Sequence, residues 1–300
     1  MLENLIQLKL ALVQQNLDSQ ITYFKGLEMK ETQWLHIDKK FEISEERFSK
    51  YYDYSTVDEF IGEVNAYKIN PSLIDYKDLI DLINQKGIRH TIFRREFSFT
   101  KKEKDNAEIL NLNINPSAQE SYSPDHEGIV CEHCKERVQF AQINNLHVKY
   151  KTIKKFDLSI TYNGDTEIIV SEKLKDLFIH EAVTGVRFSH VYELNSNDVI
   201  EGFYHLRLDE GIGEVVEPPT IVEKDVKCIK CGFYHTFLCQ TPYYFNKETW
   251  NGNDIFFTSD WFGSPPQYQG KSVIISQRLF KILKEYKIIS YTDVEPSYLL

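Results

Sequence analysis

Two Cys-x-x-Cys pairs, Cys131-Glu-His-Cys134 and Cys228-Ile-Lys-Cys231, hold four of the five cysteines in this 300-residue chain. They constrain the fold because each occupies the same place in a repeated pattern. Cys131, Cys134, Asp157 and Thr161 recur 97 residues later as Cys228, Cys231, Asp254 and Thr258. Farther on the offset becomes 105, with Ile169-Val-Ser-Glu-Lys-Leu174 matching Ile274-Ile-Ser-Gln-Arg-Leu279. An insertion of eight residues between Trp261 and Gly270 reconciles the two offsets.

The pattern predicts an α+β fold whose C-terminal part, residues 129–300, is an internally duplicated β-rich unit. The copies run over about 129–195 and 226–300, each as a CxxC turn, strands, and then strand–Ser–helix–strand. Ser171 and Ser276 are placed as helix N-caps, whose side-chain oxygens accept otherwise unmatched backbone N–H groups. Behind them Leu174, Leu177 and Phe178, and again Leu279, Ile282 and Leu283, recur at i, i+3 and i+4, the stripe that a helix buries. The expected strands that follow are Val186–Tyr192 and Ile288–Tyr291.

Residues 1–115 read as mainly helical. Val57, Phe60, Ile61 and Val64 lie at helical spacing behind Ser55. A second helix is expected from Leu73 through Ile83, with Gly87 past its C-terminus as the left-handed residue that ends it. Thr91 to Phe99 alternates and is expected as a strand. Thr100-Lys-Lys-Glu103 is a capping box for a helix through Leu110. The stretch 116–128, rich in Ser, Pro and acidic residues, reads as a linker.

Zinc takes four thiolate or imidazole ligands in a tetrahedron, and a CxxC turn presents two sulfurs at once. The 93 residues between Cys134 and Cys228 exceed the spacing of an ordinary zinc ribbon. A repeat explains the distance, because two like halves packed about a pseudo-two-fold axis bring both turns together. A separate ion for each pair requires extra ligands that also repeat. They do not: at the 97-residue offset His126, His133 and His147 meet Glu223, Lys230 and Tyr244. The expectation is therefore one structural zinc per chain, held by Cys131, Cys134, Cys228 and Cys231. Cys239 is expected as a small core residue.

Four cysteines leave no open coordination position for substrate. His180-Glu181 lacks the second histidine of a zinc-protease helix, since Thr184 stands there. Neither a nucleophile elbow nor a phosphate-binding glycine loop is present, so the reading is not an enzyme. A net charge of −10 disfavours a nucleic-acid-tracking surface and suits a protein partner. No apolar run is long enough to span a membrane. CxxC spacing and an odd cysteine count point to the cytoplasm.

The CxxC pair, the CxxCG of Cys228–Gly232, the Asp254–Phe256 segment and Val273-Ile-Ile-Ser-Gln-Arg-Leu279 together resemble the double-CXXCG motif proteins. The first pair departs from that motif, with Lys135 in place of its glycine. The resemblance covers mainly 129–300 and implies a bacterial immunity protein that binds and neutralises a cognate toxin by stoichiometric occlusion. Trp261, Phe262 and Tyr268, in the inserted segment, are the candidate partner-binding residues; the competing reading folds Trp261 and Phe262 back into the core. The alternative function is a zinc-ribbon module that binds nucleic acid or a transcription complex. Its support is the basic stripe Lys149-Tyr-Lys-Thr-Ile-Lys-Lys155.

Overall fold

A computed structural model describes residues 30–40, 46–58, 62–115, 117–118, 129–134, 137–139, 145–161, 167–232, 234, 236–263 and 270–300. The protein is α+β and built mostly of sheet. Lys25–Glu103 forms one compact unit, and the chain from Lys104 onward belongs to another.

The expectation of a mainly helical N-terminal part is overturned. Within Lys25–Glu103 the strands β1 (Lys30–Asp38), β2 (Tyr52–Asp58), β3 (Gly62–Ile69) and β4 (His90–Ser98) form one antiparallel sheet, in the order β2-β3-β1-β4. The segment read as a helix behind Ser55 is the β2–β3 pair. Its β-branched and aromatic residues, Tyr52, Tyr54, Thr56, Val57, Val64 and Tyr67, fit a pleated surface better than a helix. A short helix, α1 (Glu46–Ser49), buries Phe48.

The helix expected after Ser72 is present as α2 (Ile74–Gln85). It buries Leu79 and Ile83 against Leu35, Ile37, Tyr67 and Ile69 of the sheet. Gly87, at φ +61°, ends it as expected: its N–H reaches the Asn84 carbonyl, and Ile88 N–H reaches Ile83. The capping box is also present, with Thr100 N–H and hydroxyl donating to the Glu103 carboxylate and Glu103 N–H returning to Thr100. The helix it opens, α3 (Lys101–Asn106), stops short of Leu110. Ile109–Leu112 is instead a strand, β5, inserted between two others.

The unit from Lys104 onward contains two six-stranded sheets. The first has the order β6-β10-β11-β13-β12-β9, from Ser117–Ala118, Leu158–Thr161, Ile168–Ser171, Val199–Leu208, Val186–Glu193 and Leu146–Val148. The second has the order β14-β18-β19-β5-β20-β17, from Glu210–Ile212, Ile255–Thr258, Val273–Ser276, Ile109–Leu112, Val294–Leu299 and Tyr244–Phe245. In both, four antiparallel strands carry one parallel strand at each edge. Among the described residues there are also two small ribbons: β7 (Ile129–Val130) with β8 (Arg137–Gln139), and β15 (Val222–Lys224) with β16 (Phe237–Cys239).

After α4 (Tyr150–Ile153), the two longer helices are α5 (Glu172–His180) and α6 (Gln277–Glu285), which directly follow β11 and β19. Ser171 and Ser276 cap them as expected, accepting from Leu174 N–H at 3.2 Å and Leu279 N–H at 3.1 Å. Leu174, Leu177 and Phe178 share one core with Leu279, Phe280 and Leu283. Each such fully buried side chain contributes roughly 1.5–3 kcal/mol. The strand expected at Ile288–Tyr291 starts later, at Val294. Lys287, at φ +58°, and a capping box between Ser290 and Asp293 hold the intervening residues as a turn and a 3-10 helix, Tyr291–Asp293.

A carboxylate sits at 8% exposure two residues past β18: Asp260, which accepts the Val215 N–H at 2.7 Å. Burial pushes its pKa up to about 6, with Glu214 and Glu217 adding to the effect. A folded-state value raised above that of the unfolded chain makes the carboxylate a cost once it ionises. Its contribution is most favourable below about pH 4, is lost as pH rises toward 6, and stays lost above. Asp260→Asn keeps an acceptor for Val215 and removes the buried charge. The variant is expected to be more stable than the parent at pH 8, by on the order of 2 kcal/mol, with the difference vanishing near pH 4. Thermal unfolding at the two pH values checks this; equal stability at pH 8 contradicts it.

Candidate metal centre

Cys131 and Cys134 follow the strand β7, and Cys228 and Cys231 lie in a turn after β15. The fold brings all four together. Their sulfurs lie within 4.8 Å of one another. Cys131 Sγ is 4.0 Å from Cys228 Sγ, and Cys134 Sγ is 3.7 Å from Cys231 Sγ. The residues that match at the 97-residue offset are thus face to face. A disulfide needs about 2.05 Å, and none joins any of the five cysteines. The four thiols can hold a metal ion.

The second turn is closed by Gly232 N–H donating to the Cys228 carbonyl at 2.8 Å. Gly232 takes φ +75°, which a side chain there would strain. Backbone N–H groups of Cys231 and Lys230 point at the Cys228 sulfur and bring its pKa down to about 6. The N–H groups of Cys134 and His133 lower that of Cys131 in the same way. Oriented amides therefore favour thiolate, the form that binds a metal.

The remaining expected residues are elsewhere. Cys239 is half-buried in β16, packed with Phe237 and Tyr243, and burial raises its thiol well above the usual range. His147 is buried and stacks on Tyr192 at 5.4 Å, and His133 is exposed. Among the described residues, no histidine joins the four cysteines. Phe262 packs flat on Tyr243, with ring centroids 4.9 Å apart, and also against Phe237. Trp261 is half-buried with the Lys271 ammonium 5.1 Å from its ring, and Tyr268 lies outside the described residues.

A second cluster was only partly visible in the sequence. Asp254 accepts from Ser276 Oγ at 2.7 Å, Arg278 at 2.7 Å, Thr184 N–H at 3.1 Å and Thr184 Oγ1 at 3.2 Å. Asp157 accepts from Ser171 Oγ and Lys173, each at 2.7 Å. The recurrence of Asp157 as Asp254 and the two N-cap serines were legible. The cation two residues after each serine was the unused signal.

No family model matches the chain, and no curated protein matches it. Among the described residues, no helix is long and apolar enough to cross a membrane.

Proposed function

We propose that this protein is a metal-closed binding scaffold that neutralises a partner protein by occupying its surface, as the resemblance to immunity proteins implies. The observation that carries the scaffold reading is the convergence of the four sulfurs. A zinc–thiolate bond of about 2.3 Å gives a tetrahedron whose sulfurs are about 3.8 Å apart, and the separations of 3.7 and 4.0 Å fit it. Zinc is the ion that four thiolates without an open position suit best. It would be held by Cys131, Cys134, Cys228 and Cys231 and would act as a cross-brace.

The two sheets are read as two copies of one unit. β10, β11, α5 and β12 correspond to β18, β19, α6 and β20, with β9 and β17 at matching edges. β13 and β5 then occupy the same place, so each copy begins earlier in the chain than the cysteine spacing alone implies. Hydrogen bonds support the equivalence. Ser171 N–H donates to Asp157 O at 2.9 Å and Ser276 N–H to Asp254 O at 2.8 Å. Ala182 and Lys287, 105 residues apart, both take positive φ after their helices. The stacked pair His147–Tyr192 matches Tyr244–Tyr298.

Binding rather than catalysis is favoured because the four sulfurs saturate the metal. The acidic balance of the chain steers it toward a basic partner. The test is genetic and biochemical: the product of the gene adjacent to this one is expressed alone and with this protein. Growth arrest relieved by co-expression, and recovery of an equimolar complex, are expected. An adjacent product that arrests growth equally with and without this protein contradicts the reading.

A further inference from the structure

We propose that the turn spanning residues 149–156 is a binding surface for single-stranded nucleic acid, an activity separate from the partner-protein reading. Lys151, Lys154 and Lys155 are all exposed on it, and no acidic residue occurs from 149 to 156. Two aromatic rings stand out from the same turn, Tyr150 at 46% and Phe156 at 38% exposure. Two carboxylates flank the turn: Glu193, which accepts the Tyr150 N–H at 2.9 Å, and Asp157, which is paired with Lys173 and accepts from Ser171.

The chain supplies its own control. A turn also stands at the matching place, 246–253, between a parallel edge strand and an aspartate, there wound as the 3-10 helix Lys247–Thr249 rather than as α4. Thr152 Oγ1 donates to Lys149 O at 2.7 Å, and Thr249 Oγ1 donates to Asn246 O at 2.7 Å. Yet at the 97-residue offset Lys151, Lys154 and Lys155 become Glu248, Asn251 and Gly252, and Tyr150 and Phe156 become Lys247 and Asn253. The matching turn forms with a single lysine, Lys247, and without exposed rings, so a turn at this place does not require the cluster of three lysines or the pair of exposed rings.

Ammonium groups interleaved with exposed rings are the combination that binds phosphates while stacking on bases. An acidic protein surface would use the lysines but gives the rings no comparable role, and lysine is depleted at the centre of protein interfaces. A local cluster on a chain of net charge −10 implies a short footprint of a few nucleotides rather than a long track.

Fluorescence anisotropy with the full chain and a labelled single-stranded oligonucleotide of about twelve nucleotides tests this. Binding is expected at low salt, weakening with a log–log slope of about −2 as three ammoniums displace counterions. Charge reversal in K151E/K154E/K155E should lower affinity roughly tenfold or more. Tyr150→Ala with Phe156→Ala should weaken binding while leaving the salt slope unchanged. Metal content and thermal unfolding should remain those of the parent in the lysine variant. Absence of binding at about 50 mM salt, or equal binding by the charge-reversed variant, would overturn the proposal. Equal binding of a labelled polyglutamate peptide would overturn it too, assigning the turn to an acidic protein.

Discussion

Replacing Cys228 by Ser is expected to release the metal and to lower the melting temperature of the unit that follows Lys104 by roughly 10 °C. The size follows from linkage. A metal that binds the folded site and has no preformed site in the unfolded chain contributes its binding free energy to folding. Losing one of four thiolates removes most of that contribution, and a net loss of about 3–5 kcal/mol is reasonable because large apolar cores remain. At about 2–4 °C per kcal/mol for a domain of this size, the shift is readily measured. Cys131→Ser should behave alike, because its sulfur faces that of Cys228 at 4.0 Å. Cys239→Ser is the control, since Cys239 lies outside the four-sulfur cluster and should leave the metal in place. Calorimetry with and without a chelator reads all three. Cysteine variants that keep parental stability would show that the cluster braces nothing.

The second large effect is expected at Asp254. Asp254→Ala removes the acceptor for a buried serine, an arginine, and the backbone and hydroxyl of Thr184. Its side chain is 10% exposed, so these bonds are poorly replaced by water. Several hydrogen bonds lost around a buried charge cost about 3–4 kcal/mol. The matching change, Asp157→Ala, removes bonds to Ser171 and Lys173 at a side chain 32% exposed. Its cost should be only about 1–2 kcal/mol. The contrast separates what the two positions share, a serine cap and a cation, from what Asp254 alone adds, the tie to Thr184 seventy residues away. Denaturant titration of the two variants measures it, and equal losses would contradict the added role.

Short-range chemistry was legible in the sequence. Ser171, Ser276, the Thr100–Glu103 box and Gly87 each announce a helix end through one side chain or one backbone angle. The cysteine pairs were legible because a CxxC turn is the short spacing that presents two sulfurs together. The β2–β3 pair was misread because Val57 and Val64, one in each strand, fall at helical spacing with Phe60 and Ile61, which lie outside the described residues. Only the partner strand β1, with Leu35 and Ile37, makes the sheet the better burial. Leu110 failed for a similar reason. Four residues after a capped helix carry no sign that they will pair with β19 and β20, more than 160 residues on. The tie between Asp254 and Thr184 is likewise a product of the fold.

The account stands most directly on the number of metal ions per chain. Elemental analysis of the purified full-length protein, paired with its native mass, should give one zinc per chain, lost together when either Cys131 or Cys228 is changed to Ser. Two ions per chain, or zinc retained by one pair after the other is removed, would contradict a single site shared by Cys131, Cys134, Cys228 and Cys231.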